Sequence, residues 1–139
     1  MNHEELRRFL SDPRLAKVAT LKKDGSPHIT PVWFDFDGTH LYLSSSPKTT
    51  KVKNIQRDNR VAVTIANEDG SKVAIFEGTA EVSEDKGRAK AIAFTKRYLP
   101  ADQVDAFLKQ PMMAEPRVVV TVRPRKTISW DYSKLGGAR

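Results

Sequence analysis

VATLKKDGSPHITPVWFDFDG, residues 18–38, contains two Asp-Gly pairs that separate segments rich in β-branched and aromatic residues. A third pair follows at Asp69-Gly70. Such pairs favour the tight turns of β-hairpins, because glycine adopts positive φ at little cost. Working outward from these turns, the pattern predicts seven strands, over residues 16–21, 28–36, 40–45, 61–66, 73–82, 117–122 and 127–132. Strands linked mostly by hairpins predict an antiparallel barrel, which leaves few sheet edges exposed.

Helical spacing of apolar residues occurs in three regions outside these strands, namely residues 2–10, 83–98 and 100–110. The first of them places Leu6, Phe9 and Leu10 on one face. The other two are expected to form a helical insertion between barrel strands. The predicted fold class is therefore mainly β (α+β), a six- to seven-stranded antiparallel barrel with short peripheral helices. No linker interrupts the pattern, so we expect one domain over residues 1–139.

The composition narrows the classes of protein to which the chain can belong. It has 139 residues, enough for one domain with its own core, and no cysteine, which excludes a disulfide framework, a thiolate metal site and a catalytic thiol. No apolar run approaches the length of about 20 residues that a membrane span needs. We therefore expect a cytoplasmic protein without a membrane partner. The net charge of +7 predicts attraction to anions of some kind.

The most basic part of the chain is SSSPKTTKVKNIQRDNRVAV, residues 44–63. A proline near its start suits the first turn of a helix, and either Ser46 or Thr49 can cap that helix. At about 100° per residue, Val52 and Ile55 mark the side that faces the barrel. The segment is therefore predicted to be a short helix that joins the third and fourth strands.

Two lysines of this helix, Lys48 and Lys51, fall beside its barrel-facing side, whereas Lys53 and Arg57 point nearly the opposite way. The start of a helix offers unpaired N–H groups and a positive dipole end. Hydroxyl donors surround the same place, at Ser44, Ser45, Thr49 and Thr50. These are the parts of a phosphate site, and the alternative is a capped, solvated basic connector. The glycine-rich loop of a nucleoside-triphosphate site is absent.

Taken together, the segment 18–38, the crossover 44–63 and the closing ISWDY at 128–132 resemble the pyridoxamine-phosphate-oxidase-like superfamily. The likeness is greatest to the branch that binds the deazaflavin F420, and it covers about residues 6–132. It implies a split β-barrel that pairs into a homodimer, with the cofactor in the groove between the subunits. FMN is the alternative cofactor.

Carried over to this chain, the resemblance implies that Lys51 holds the cofactor phosphate, with Ser44 and Ser45 as hydroxyl contacts. It also implies that the flavin-type ring lies along Thr30, Pro31, Val32 and Trp33. The chain departs from the pattern at Thr49 and Thr50, where many relatives have an arginine shortly before the lysine. We expect either a weaker hold on the phosphate or compensation by Lys48 or Lys53.

The function implied by the resemblance is transfer of a hydride from reduced F420 to an unsaturated small-molecule acceptor. Such an enzyme needs few catalytic side chains, because the cofactor carries the chemistry. F420 has a phosphodiester and a glutamate tail, so it suits a basic surface better than FMN does. A non-catalytic carrier of F420 or flavin is a second possibility. Nucleic acid is not an expected partner, because the basic helix has no interleaved aromatic residues for base stacking.

The remaining chemical groups give no further site. The three histidines, His3, His28 and His40, do not share a metal-ligand spacing, and a proton-transfer role for His28 has no support. Hydrolytic motifs are absent. Solvated surfaces are expected to account for most of the basic residues in the second half of the chain, namely Arg88, Lys90, Lys96, Arg97, Arg117, Arg123, Arg125 and Lys126.

Overall fold

The computed structural model describes residues 1–135, which contain seven strands and five α-helices. The strands are β1 (Ala16–Leu21), β2 (Pro27–Val32), β3 (Phe34–Phe36), β4 (Leu41–Ser45), β5 (Arg60–Ala66), β6 (Lys72–Glu84) and β7 (Val118–Asp131). The helices are α1 (His3–Leu10), α2 (Thr50–Arg57), α3 (Ala89–Tyr98), α4 (Ala101–Leu108) and α5 (Pro111–Ala114). The mainly β fold with short helices is thus confirmed, and the last four residues of the predicted domain lie outside the described residues.

All neighbouring strands are antiparallel, in the order β2-β1-β5-β6-β7-β4-β3 across the sheet. β2 and β3 therefore lie at opposite edges, although only Trp33 separates them in the chain. The sheet has to curl until these edges approach each other, which makes it a split barrel. Alternate residues of the strands fill its interior, with Val18, Phe34 and Phe76 almost completely buried.

Local sequence signals account for the hairpin turns and the first helix. Gly25 and Gly70 have φ of 86° and 73°, the left-handed conformation that favours glycine in such turns. α1 begins with a capping box, in which the Asn2 side chain accepts from Glu5 N at 2.8 Å while Asn2 N donates to the Glu5 carboxylate at 3.0 Å. The predicted apolar face of α1 is buried against the barrel.

Two of the predicted strand boundaries are wrong. The strand expected over residues 28–36 is divided into β2 and β3 at Trp33, and the last two predicted strands form the single strand β7. Pro124, which was expected to make a turn between those two predicted strands, does not do so, because it pairs with Gly78 at a β-bulge, where a missing N–H is tolerated. A Cβ atom at Gly78 would overlap with the carbonyl oxygen of Arg123, so the bulge needs glycine.

The predicted helical insertion is present between β6 and β7 as α3, α4 and α5, but it begins later than expected because β6 extends to Glu84. Asp85 determines its start. The buried Asp85 carboxylate accepts hydrogen bonds from the backbone N–H groups of Lys90 and Ala91, both at 3.0 Å. It thereby satisfies donors in the first turn of α3, which then packs over the end of the barrel that contains β4.

Candidate functional site

The crossover helix α2 starts beside the end of β4. Thr49 is its N-cap, and the Thr49 hydroxyl accepts from Val52 N at 3.3 Å. The Ser45 hydroxyl lies 3.1 Å from the Thr49 hydroxyl and so connects the strand end to the cap. The N–H groups of Thr50 and Lys51 have no acceptor in the described part of the chain. They leave the positive end of α2 open to an anion.

Lys51 lies in the first turn of α2 and is only 7% exposed. No hydrogen bond or ion pair to its ammonium group occurs within residues 1–135. Burial lowers the pKa of Lys51, and the positive charge of Arg117 lowers it further. A buried cation without a carboxylate is costly, so this lysine is suited to an anion supplied from outside the chain.

Arg117 lies immediately before β7, next to the end of β4, because Ser45 pairs with Val118 across the two strands. Its Nη2 donates to the Ser44 hydroxyl at 3.4 Å. Its Nε is buried and has no partner among the described residues. Burial lowers the pKa of Arg117, although the charge of Asp85 raises it. Lys51 and Arg117, here called the cation pair, thus come together from distant parts of the sequence.

A cleft of about 290 Å³ begins at Arg117 and Ser44 and lies between the barrel and the helical insertion. Its barrel side includes Pro31, Val32 and Trp33, three of the four residues predicted to contact a flavin-type ring. The insertion and the chain before β1 supply the rest of its lining, namely Leu15, Ala91, Phe94, Thr95, Phe107, Met112 and Met113. Arg117 is the one charged group in the lining, so the cleft is apolar with a cation at one end.

Trp33 is held in the cleft wall by aromatic side chains of the insertion. Its ring stacks on Tyr98 with centroids 4.8 Å apart, and it contacts Phe107 at 5.4 Å. The Tyr98 hydroxyl accepts from Phe34 N at 2.9 Å and donates to the carbonyl of Arg14 at 2.6 Å. These contacts explain why the second predicted strand is broken at Trp33. At Phe34, where β3 begins, the backbone N–H binds Tyr98 of α3.

The other predicted site residues occupy different surroundings. Ser44 lines the cleft, whereas the buried Ser45 is bonded to the carbonyl of Ser46 and to Thr49. Thr50 is exposed at the start of α2, and Lys48 is exposed and lies 3.8 Å from Glu115. Thr30 does not line the cleft, and its buried hydroxyl has no partner in residues 1–135. Cofactor contact by these residues stays a prediction.

Three basic residues expected on solvated surfaces have specific structural contacts instead. Arg117 belongs to the cation pair. Arg97 donates to carbonyls of the α1 end and of Phe34, and Arg88 donates to the carbonyl of Met113 at 2.7 Å. Sequence spacing does not predict these contacts, because each of them joins residues that are at least 25 positions apart in the chain. The external anion itself was predicted from the start of α2, its hydroxyl groups and its lysines, but no local signal pointed to Arg117.

Other kinds of site have little support in the structure. Among residues 1–135, no group of three or more His, Asp or Glu side chains lies together in a way that could hold a metal ion. The same residues contain no helix long and apolar enough to cross a membrane.

A split barrel with an apolar cleft and an open, basic start of its crossover helix is typical of a class of cofactor-binding proteins. Residues 3–131 match the family model described as pyridoxamine 5'-phosphate oxidase. The chain belongs to this family, which confirms the resemblance noted in the sequence.

Three relatives show where in the family the chain lies. It is 31% identical over 93 residues to the F420H(2)-dependent biliverdin reductase of Mycobacterium tuberculosis (strain CDC 1551 / Oshkosh), an alignment that covers 65% of this chain and 67% of the relative. A solved F420 reductase superposes with a TM-score of 0.71 and 27% identity, covering 88% of this chain and 94% of that one. A conserved hypothetical protein from Mycobacterium tuberculosis gives 0.74 and 28%, covering 98% and 88%.

Proposed function

We propose that this protein is an F420-dependent oxidoreductase that reduces an unsaturated small molecule. The observation that carries the proposal is the buried Lys51, which has no hydrogen-bond or ion-pair partner among residues 1–135 and is affected by the charge of Arg117, a residue that lines the aromatic cleft. The names of two relatives, an F420H(2)-dependent biliverdin reductase and an F420 reductase, support the choice of cofactor. The cysteine-free sequence suits a reducing cytoplasm, which we propose as the location.

The residues present fit a phosphorylated deazaflavin. Lys51 and the open N–H groups at the start of α2 would hold the phosphodiester. Pro31, Val32 and Trp33 would hold the ring along the barrel side of the cleft, where Tyr98 fixes the position of Trp33. When bound, reduced F420 supplies the hydride. The chain binds and orients the reactants and excludes water with its apolar wall.

The helical side of the cleft supports an apolar, conjugated acceptor. Phe94, Phe107 and Met112 present aromatic and thioether surface there. The Thr95 hydroxyl is already bonded to the carbonyl of Ala91 at 2.8 Å, so it offers no unsatisfied donor. Recognition on this side therefore depends on shape and apolar contact, with polar recognition confined to the end at Arg117.

A paired titration tests the function. The purified protein is titrated with F420 and with FMN by fluorescence at low and moderate salt, and reduced F420 is then offered with a panel of conjugated acceptors while its reoxidation is followed. We expect about tenfold or stronger preference for F420, since the net charge of +7 also attracts the carboxylates of its tail. Equal affinities would favour the FMN alternative. Tight F420 binding without reoxidation by any acceptor would favour the carrier.

The outer face of the barrel supports a homodimer. Ile29, Ala19 and Ala62 form one cross-strand row there, and Ile75 pairs with Ile128 in the next. Ile29 is 61% exposed and Ile128 36%, and an open groove of about 550 Å³ runs past Ala19 and Ala62 and is bordered by the charged residues Arg60, Glu77, Arg125 and Lys126. A second copy of the chain would cover the face around a twofold axis, which repeats the same patch on both subunits.

Replacing Ile128 by glutamate is expected to produce a monomer at micromolar concentration, because each subunit would have to bury an unpaired carboxylate in the interface. Size-exclusion chromatography with light scattering measures the mass. Lys23→Glu, at the exposed tip of the β1–β2 hairpin, is the control for the change of charge and should remain dimeric. A parent protein that is itself monomeric, or an Ile128→Glu variant that stays dimeric, would contradict this interface.

A further inference from the structure

Arg117 has no role assigned by the sequence patterns, yet it is the charged group nearest to Lys51 that the fold brings to the cleft. We propose that Arg117, the residue that precedes β7, is the second cation of the phosphodiester site, in place of a basic residue at position 49 or 50. This inference rests on the proposed function, since it names a specificity-determining residue for the same cofactor.

Strand pairing determines where Arg117 lies. The pairing of Ser45 with Val118 fixes the start of β7 beside the end of β4, and α2 begins five residues after that strand end. The side chain of Arg117 reaches Ser44, and Arg117 Nη2 donates a hydrogen bond to the Ser44 hydroxyl at 3.4 Å. Arg117 therefore lines the cleft near the strand end from which the chain leads to α2, and its charge already acts on Lys51, so an anion bound by Lys51 would be within its reach.

Neither cation has an acidic side chain as a hydrogen-bond or ion-pair partner among the described residues, although the charge of Asp85 does act on Arg117. The two nearby carboxylates are engaged elsewhere. Asp85 accepts from the N–H groups at the start of α3, and Glu115 lies 3.8 Å from the exposed Lys48. Two partly buried like charges repel each other, so the fold keeps them together at a cost that an external anion would offset.

The Arg117 guanidinium retains hydrogen-bonding capacity that the described residues do not use. Arg117 Nε is buried and has no partner in residues 1–135. A guanidinium presents donors in a planar fork that matches the geometry of phosphate oxygens, whereas an ammonium acts as a compact point charge. Arg117 would therefore orient the phosphodiester, and Lys51 would supply attraction at the helix start.

The test compares Arg117→Gln and Arg117→Lys with the parent, using F420 and the same deazaflavin chromophore without the phosphodiester. Arg117→Gln should bind F420 about 10- to 100-fold more weakly, as expected for loss of hydrogen bonds to a charged group, and the phosphate-free compound with about unchanged affinity. Arg117→Lys should fall between. Arg8→Gln, which removes an exposed arginine on α1, should bind both compounds as the parent does.

Thermal unfolding separates this inference from the proposed function. Without ligand, Arg117→Gln should melt no lower than the parent, because it removes repulsion with Lys51. Inorganic phosphate at constant ionic strength should stabilise the parent and not the variant. If it does so while F420 fails to bind, the anion site stands and the proposed function fails.

Two results would overturn the inference. One is an Arg117→Gln variant that binds F420 as tightly as the parent. If this variant also shows a higher KM for carboxylated acceptors, Arg117 recognises the acceptor and not the cofactor. The other is an equal loss of affinity for F420 and for the phosphate-free compound, which would indicate general damage to the cleft. A parent that responds to neither phosphate nor F420 would reject both the inference and the function.

Discussion

Lys51→Met is expected to weaken F420 binding by about 100-fold or more while leaving the ligand-free protein at least as stable as the parent. The affinity falls because the variant loses the buried charge that faces the phosphodiester. The free protein does not suffer, because the methionine replaces a desolvated, unpaired cation with an apolar side chain of similar length at a position only 7% exposed. Fluorescence titration and chemical denaturation measure the two effects.

Lys53→Met is the matched control, since Lys53 lies on the exposed side of the same helix two residues away. It should change F420 affinity by no more than about twofold, as expected for a screened surface charge. The hypothesis fails if both variants lose affinity equally, or if Lys51→Met is strongly destabilised, because the lysine would then have a structural partner.

The same lysine gives F420 binding a pH dependence with a definite sign. Burial, reinforced by Arg117, places the pKa of Lys51 below its ordinary value of 10.5. A bound phosphodiester favours the protonated form, so affinity should be full below this lowered pKa and fall as pH rises through it. In the free protein the sign is opposite, because stability rises with pH as the buried charge is lost. Both trends should be absent in Lys51→Met.

Arg97→Met is expected to destabilise the protein by about 3 kcal/mol, the second large effect. The guanidinium donates to the carbonyls of Leu10, Ser11 and Asp12 at 3.1, 2.9 and 3.2 Å, and to that of Phe34 at 3.1 Å. It thus joins α3 to the end of α1 and to the start of β3. Its loss removes four hydrogen bonds from a charged donor, and the two partly buried ones, to Leu10 and Phe34, contribute about 1.5 kcal/mol each. Urea denaturation measures the change.

Lys96→Met provides the control, because the neighbouring lysine is exposed on the same helix. It should shift the free energy of unfolding by less than about 0.5 kcal/mol. We also expect Arg97→Met to weaken F420 binding, since Phe34 follows Trp33 directly in the cleft wall. Stabilities of the two variants that agree within error would show that water replaces the contacts of Arg97.

Much of the fold was predictable because its signals are local. The Asp-Gly turns, the alternation of apolar residues in the strands and the apolar face of α1 depend on a few neighbouring residues. The crossover helix was predictable for the same reason, including Thr49 as one of its two possible caps. Helical periodicity placed Lys48 and Lys51 beside the barrel-facing residues of this helix, and the family resemblance then singled out Lys51.

The boundaries that sequence reasoning missed depend on partners far along the chain. Pro124 looks like a turn residue until β7 is paired with β6, where Gly78 makes room for a bulge. Trp33 looks like part of a continuous strand until Tyr98 stacks on its ring. In both cases a contact with a distant segment outweighs the local preference of the residue.

The sequence by itself therefore determined the hairpin barrel, its crossover helix and a basic site at the start of that helix, because turn chemistry, periodicity and capping act between near neighbours. The tertiary structure alone decided that Arg117 joins Lys51 and that Arg97 holds three elements together. Strand pairing brings Arg117 to the Ser44 hydroxyl and to Lys51, and helix packing brings Arg97 to the carbonyls that it binds. Composition and residue spacing do not predict contacts between such distant parts of the chain.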